Sequence, residues 1–452
     1  MTGADGTVII QEEPERKHFA LYLAMLHRGG SERVMVSLAT WLYEHGHRVT
    51  FVTTYMGYNE YEVPHARWRR LTEEEAESYG GRARRVMLPD ESIAHIDPKG
   101  GEGAMEDDPR GGIHRVFSGL MPEQQSTSRI VNLTKRSSLL RTIWETIKPD
   151  LILSFIGKNN IMALMTTTGM DVPVVVSSRT NPSSEYGTRQ LHLSMVSTFR
   201  RAAGVVVQTE EFANYYPAGI KEKTKVIPNA ISPDFLRPRY DGEREKVIVA
   251  VGNLSRVKNY GLLLKAFARV ASKYPDWNLV IYGEGSDRKR LTGLINSLDI
   301  RTRVFMPGQV NDVADKIEKA GMYVMTSDEE GMPNSLLEAM SLGLPVVCTD
   351  FAGGAARQLV KDGFNGLLVP TADVGRLETA MIRIMANKGF ADTLGTKAAE
   401  VQKNYHPEVI NAEWESYLLR ILDPSSAPEP DAKAVKRQEA ADLWKSLEKR
   451  IR

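Results

Sequence analysis

An α/β protein of two tandem parallel-sheet domains is the fold class the sequence predicts, and three observations carry it. Apolar runs of strand length alternate with amphipathic stretches of helical length, the pattern of strand–helix–strand crossovers. The alternation runs from residue 19 to about 236, breaks at the polar, non-periodic "LRPRYDGEREK", and begins afresh. The length of 452 residues suits two or three domains with ample core.

Taken in order, residues 1–18 form a polar, acidic N-terminus expected to be flexible. "FALYLAML" (19–26) is the first strand, the Gly-rich "HRGGSERVMVSLATWLYEHGH" a turn and amphipathic helix, and "RVTFVTT" the next strand. Residues 57–115 break this rhythm with "RWRR", "GGRARR" and "DPKGGEGAMEDDPRGG" and are expected to form an irregular basic and polar insertion on the rim of the first domain. The rhythm resumes with helix "SSLLRTIWETIKPD", strand "LILSFI", helix "NNIMALMTTTG" and strand "VPVVVSSR". "STFRRAAGVVVQTEEFANYYP" repeats helix, strand and helix, and "TKVIPNAIS" closes the domain, 19–236.

The second domain, 245–405, opens on strand "VIVAVGNL" and helix "YGLLLKAFARVASKYP". Strands "WNLVIYG", "RVFMPG" and "MYVMTS" alternate with helices "SDRKRLTGLINSLD" and "VADKIEKAG". After "SDEEGMPNSLLEAMSLGLPVVCTD" come helical material at 355–360, strand "GLLVP" and helix "VGRLETAMIRIMA". Residues 406–423 are expected to form a helix packing back on the first domain, and 424–452 a Pro/Ser/Ala linker with a charged tail helix. Two such domains imply a cleft, the default ligand site, because open parallel sheets bind ligands beyond the carboxyl ends of their strands.

Composition narrows the function classes. A net charge of +1 with 25% charged residues does not call for nucleic acid. The single cysteine, Cys348, sits inside an apolar run and builds neither a disulfide framework nor a Cys-rich metal site. The N-terminus lacks a secretory pattern and no apolar run approaches the ~20 residues of a membrane span. A cytoplasmic location is expected, with peripheral membrane contact left open.

Four stretches carry chemistry. In "HRGGSERV", Gly29 and Gly30 permit close approach of a ligand at a helix N-terminus, where free N–H groups favour phosphate; as a motif the pair is weak, since many are plain turns. In "VGNLSRVKN", Arg256 and Lys258 beside a helix start suit a diphosphate, with a solvated surface pair as the alternative. In "IYGEGSDRKRL", Gly283 and Gly285 flank a strand–helix turn, which many α/β turns do. In "EEGMPNSLLEAM", Asn334 and Ser335 are expected to cap the helix that holds Glu338, and Glu330 precedes Gly331 at its mouth. Glu330 suits sugar hydroxyls and Glu338 a ribose diol; acid–base work by the two remains open, since a loop lies between them. Asp107 and Asp108 lie in the polar insertion and are read as solvated, so no metal site is expected.

The last stretch resembles the donor-site motif of the retaining glycosyltransferases of family 4, which have the GT-B fold of two Rossmann-like domains facing across a cleft. "GGSERV", "VIPNAIS", "AVGNLSRVKNYGLLLKAF", "YGEGSDRKRL", "VFMPGQV" and "GFNGLLVP" extend the likeness over most of the chain. "GGSERVMVSLA", "SSRTNPS" and "EGMPNSLLEAM" are similar to the branch that extends glycans on lipid diphosphates. The resemblance implies transfer of a hexose or N-acetylhexosamine from a UDP-sugar, with no separate cofactor, to an undecaprenyl-diphosphate-linked glycan at the inner face of the cell membrane. It implies that Glu330 contacts the donor sugar, Glu338 the ribose, Lys258 the donor phosphates and Gly30 the diphosphate. Gly331, Met332, Pro333, Asn334 and Ser335 would surround the donor, with Gly283 and Gly285 nearby. The sequence departs from the family twice. Asn253 stands where an arginine is usual, and Arg256 is expected to replace it. Gly157, Lys158 and Asn159 stand where a histidine is frequent, so Lys158, Asn159 and Arg179 are the acceptor-side candidates.

Two rival readings remain at this point, a non-catalytic nucleotide-sugar or glycan-binding protein of the same fold and a nucleotide-sugar epimerase or hydrolase. For the membrane, Arg67, Arg69, Arg70, Arg82, Arg84 and Arg85 around Trp68 are the expected contact with anionic lipid, and Lys449, Arg450 and Arg452 a second one.

Overall fold

The computed structural model describes residues 16–55, 57, 59–69, 72, 74, 86–87, 93–94, 112–120 and 124–426. Two parallel sheets form its frame. The first contains β1 (His18–Leu23), β2 (Arg48–Thr53), β5 (His114–Phe117), β6 (Leu151–Phe155), β7 (Val174–Ser177), β8 (Gly204–Val207) and β9 (Thr224–Val226), in the order β5-β2-β1-β6-β7-β8-β9. Strands β3 (Val86–Met87) and β4 (Ile93–Ala94) pair apart from it as a short antiparallel ribbon. The second sheet contains β10 (Glu245–Val251), β11 (Asn278–Tyr282), β12 (Val304–Gly308), β13 (Ala320–Met325), β14 (Val346–Thr349) and β15 (Leu367–Val369), in the order β12-β11-β10-β13-β14-β15.

Counted within its own sheet, the second order is 3-2-1-4-5-6, the doubly wound arrangement in which ligands bind at the reversal between strands 1 and 4. The chain divides into two compact units. Met1–Ser177, Gln190–Val205 and Glu415–Ser425 form one; Ser178–Arg189, Val206–Trp414 and Ser426–Arg452 form the other.

The strands of the second sheet read as near-continuous apolar runs because helices cover both faces. Alternation along β10 sends Ile248 and Ala250 to one core and Val249 to the other. Likewise Met322 and Val324 join the first of these cores, and Tyr323, Met325 and Cys348 the second. Helices Tyr260–Ala271 and Val374–Ala386 cover one face through Leu263, Phe267, Leu377 and Met381. Helix Asn334–Ser341 covers the other through Leu336, Leu337 and Met340, so its start is fixed at the carboxyl edge of the sheet.

The described residues of the rim insertion include regular structure. Its end supplies β5, the edge strand, paired in parallel with β2. The guanidinium of Arg115 is buried on the Glu60 carboxylate at 2.6 Å and also donates to Thr53. Glu60 accepts from the Leu26 amide, which ties the loop at 60 to the turn after β1. Trp68 is a core residue: it meets Phe51 edge-on at 6.0 Å, and Arg115 lies over its ring. A tryptophan 7% exposed cannot anchor in headgroups, so its expected membrane role is withdrawn. The periodic signal was lost because charged residues here pair inside the fold. Arg70, Arg82, Arg84, Arg85, Asp107, Asp108 and the tail with Lys449, Arg450 and Arg452 lie outside the described residues.

Helix Pro407–Leu422 is shared between the two units. Within the first, Glu415 accepts from the Trp41 indole at 2.8 Å and pairs with His47 at 3.1 Å. Among the described residues no helix is long and apolar enough to cross a membrane.

Candidate functional site

The second sheet's reversal lies between β10 and β13, and the loops leaving these two strands carry the candidate residues. After β10 the chain runs through a 3-10 turn, Arg256–Lys258, and Asn259 takes a left-handed conformation at the mouth of helix Tyr260–Ala271. After β13 it passes Thr326, Ser327 and Asp328. The two loops are stitched together: the Asp328 amide donates to Val257 O at 2.8 Å, the Thr326 hydroxyl to Lys258 O at 3.0 Å, and Asn259 Nδ2 to Asp328 at 2.9 Å.

This stitching brings Lys258 Nζ to 2.5 Å from Glu330 Oε1, an ion pair with side-chain exposures of 20% and 15%. The Ser327 hydroxyl donates to the same carboxylate oxygen at 2.6 Å. Each charge thus holds the other at the reversal of the sheet, a cation fit to bind an anion beside a carboxylate fit to accept a hydroxyl hydrogen bond. Glu338 sits in the second turn of helix Asn334–Ser341 and is 6% exposed. Burial, and after it the charge of Glu330, raise the pKa of the neighbouring Tyr260 phenol, so it stays a neutral donor.

Below this pair lies a buried amide network. Met332 donates its backbone N–H to Gln208 Oε1 at 3.0 Å, and Met332 O accepts from Asn229 Nδ2 at 3.1 Å. Asn229 Nδ2 also donates to Asn334 Oδ1 at 2.7 Å. Asn229 Oδ1 accepts from Gln208 Nε2 at 2.9 Å and from the Arg179 guanidinium. Gln208, Asn229 and Arg179 are 1%, 3% and 4% exposed, so the bonds among them are made away from water. Burial pulls the Arg179 pKa down to about 9, and the Glu185 carboxylate opposes that pull. Gly331 is required here because a side chain would collide with Arg179 O and Gln208 Oε1.

Several expectations change. Asn334 and Ser335 do not cap their helix; its N-cap is Pro333, with no side-chain bond. Their polar atoms are engaged elsewhere, Asn334 by Asn229 and Ser335 by Tyr323 at 2.9 Å. Arg179, an acceptor-side candidate, is 4% exposed, with its guanidinium on Asn229. Gly283 and Gly285 answer to backbone packing: side chains there would strike Gly252 O and Leu254 O. Arg256 is 78% exposed, with Nε 3.3 Å from Asp287.

In the first sheet the corresponding reversal lies between β1 and β6. Gly30 opens helix Gly30–Glu44 after β1, and Lys158 and Asn159 open helix Gly157–Thr166 after β6, so topology sets them at one end of neighbouring strands. The helix turn at Gly30 already holds an acid: Glu32 packs against Gly29, and burial raises its pKa. Ile156, between β6 and Lys158, has φ +76, a strained conformation for a β-branched residue. Among the described residues no group of three His, Cys, Asp or Glu side chains could hold a metal.

Gln208 and Asn229 carry the loop yet were not singled out from the sequence. Their signals were "VVVQT" at a strand end and the asparagine of "VIPNAIS".

Residues 235–401 match the family model described as glycosyl transferases group 1, and residues 29–230 that of the glycosyl transferase 4-like domain. The chain belongs to this glycosyltransferase family, and its fold is GT-B. An uncharacterized glycosyltransferase of Haemophilus influenzae is 32% identical over 200 residues, 44% of this chain and 56% of that one. An α-1,4-N-acetyl-D-galactosaminyltransferase of Campylobacter jejuni, named for a diNAcBac-PP-undecaprenol glycan, is 26% identical over 65% of this chain and 81% of its own. The crystal structure of Anabaena HepE with UDP-glucose superposes with a TM-score of 0.66 at 16% identity, over 89% of this chain and 99% of that one. Two further curated relatives are matched over 21% and 61% of their length, so this chain corresponds to part of them.

Proposed function

We propose that the protein is a retaining glycosyltransferase that moves a sugar from a UDP-sugar to a glycan carried on a lipid diphosphate, in the building of cell-surface polysaccharide. The observation that carries the reading is the Lys258–Glu330 pair at the reversal of the second sheet, with Glu338 buried on the helix that follows. Lys258 turns from Glu330 to the donor diphosphate, and Glu330 turns to hydroxyls of the donor sugar. Glu338 receives the ribose. Arg256, exposed at the same loop, swings from Asp287 to the diphosphate.

In the reaction the acceptor oxygen bonds to the anomeric carbon on the face from which UDP departs. The bond from that carbon to the phosphate oxygen breaks, and its electron pair stays on UDP. The acceptor proton passes to that phosphate oxygen. Lys258 offsets the charge that grows there, the kind of stabilisation that contributes most in a site closed to water. The UDP-glucose complex of the Anabaena neighbour supports the nucleotide, and the Campylobacter relative's name supports the lipid-linked acceptor. The protein works from the cytoplasm, docked peripherally on the inner face of the membrane.

The test is a panel of UDP- and GDP-sugars offered with a short synthetic lipid-diphosphate glycan, read by mass spectrometry. Growth of the glycan by one sugar from a UDP donor supports the reading. Binding of UDP with no product from any donor, or release of free sugar alone, overturns it.

A further inference from the structure

Helix Arg129–Ile147 joins β5 to β6 and therefore begins at the carboxyl end of the first sheet, the side on which open α/β sheets bind ligands. Its inner half is core: Leu140, Ile143, Trp144 and Ile147 are buried. Its outer half is not. Ile130 is 78% exposed, Leu133 50% and Val131 41%, three of the eight exposed large apolar residues among the described residues. Arg136 reaches inward from this overhang, with Nη2 3.5 Å from Thr54 Oγ1 just past the end of β2.

The overhang is a formed element. Ser128 caps it by accepting from the Val131 amide. Asn132 clasps the preceding loop, accepting from the Ser126 amide and donating to Ser126 O, both at 2.7 Å. Seen down the axis at 3.6 residues per turn, Leu133, Ile130, Thr134 and Val131 occupy one sector. The exposed Arg129 borders it beyond Leu133 and the exposed Lys135 beyond Val131, while Arg136 turns inward to Thr54. No acidic residue occurs from Gln124 to Trp144. The helix N-terminus adds its own partial positive charge.

We infer that the outer turns of helix Arg129–Ile147 are the surface by which the protein docks on an anionic lipid bilayer. The apolar sector enters the headgroup boundary and the bordering cations meet lipid phosphates. Charge decides the occupant. A second copy would bring like charges face to face, which opposes association, whereas an anionic bilayer complements the apolar sector and its border at once. The inference rests on the lipid-linked acceptor proposed above. It places the bilayer at the carboxyl end of the first sheet, where Lys158 and Asn159 stand.

The experiment is co-sedimentation of the full chain with vesicles of phosphatidylglycerol in phosphatidylcholine, against phosphatidylcholine alone, at low and high salt. Wild type should sediment with the anionic vesicles only and be released by salt. Ile130→Ser with Leu133→Ser should lower partition at least about tenfold. Arg129→Gln with Lys135→Gln should lower it roughly fivefold per cation. Both double variants should bind UDP by calorimetry as wild type does, which shows that they are folded. Sedimentation of the variants like wild type, or no vesicle binding by wild type, overturns the inference. So does a concentration-dependent dimer in ultracentrifugation that the apolar substitutions abolish. Vesicle binding lost in the variants, in a protein that transfers no sugar, would uphold the docking surface and count against the proposed reaction alone.

Discussion

Asn229→Ala tests how the donor loop is held. The substitution removes four hydrogen bonds at once: those from Asn229 Nδ2 to Met332 O and Asn334 Oδ1, and those into its Oδ1 from Gln208 Nε2 and the Arg179 guanidinium. The four groups left behind lose partners in a place where Arg179 and Gln208 are 4% and 1% exposed. An orphaned buried polar group costs about 1–3 kcal/mol, and a charged one more. A water entering the vacated volume would recover part of that, which leaves about 3–5 kcal/mol. For a unit of this size each kcal/mol lowers Tm by roughly 2–4 °C, so calorimetry should show a fall of at least about 6 °C in the second unit's transition. Asn229→Asp is the informative companion. It keeps an acceptor for Gln208 and Arg179 and gains attraction to the guanidinium, but no longer donates to Met332 O. Its Tm should fall less than that of the alanine variant while turnover falls with it, because the loop carrying Glu330 is released. An Asn229→Ala protein that melts within about 2 °C of wild type would refute the argument that this amide holds the loop.

Glu338→Ala is expected to weaken UDP binding by roughly ten- to a hundredfold, the loss of one charge-assisted hydrogen bond; unchanged affinity by calorimetry would remove Glu338 from the nucleotide site. Arg256→Ala should lower turnover by well over tenfold and Asn253→Ala far less, with steady-state rates as the measure and the reverse ranking as the refutation. His18 is held neutral, its pKa pulled from 6.5 to about 4 by burial first and by Arg48 next. The unfolded chain takes up that proton first as pH falls. Stability is therefore undiminished above pH 6.5 and declines down to about pH 4, by about 3 kcal/mol at 1.4 kcal/mol per unit. Urea midpoints across that range should flatten in His18→Gln; an unaltered slope would assign the acid sensitivity to other groups.

Much of the frame was legible. Helix Val374–Ala386 and the strands of the second sheet stand where hydrophobic periodicity puts them, because each buries an apolar stripe or both faces of a run. Lys258 and Glu330 stood out in the sequence as a cation and an acid at two strand ends, and the structure pairs them. Strand β5 was not legible. Its Arg115 reads as surface, and only the distant Glu60 and Trp68 make a buried arginine stable. The capping expected of Asn334 and Ser335 failed for a related reason. Local rules assign such side chains to the nearest free amides, whereas Asn229 and Tyr323 reach them first from remote sequence.

What the sequence by itself determined was the alternation of elements, the two parallel sheets and the residue types at the strand ends, because periodicity and turn chemistry act between near neighbours. The tertiary structure alone decided which of those residues meet. It paired Lys258 with Glu330 by closing two loops across adjacent strands, seated Met332 on Gln208 and Asn229, and left Ile130 and Leu133 uncovered while burying Trp68. Burial and pairing are properties of what surrounds a side chain. Those surroundings come from segments far apart in the chain, which only the strand order brings together.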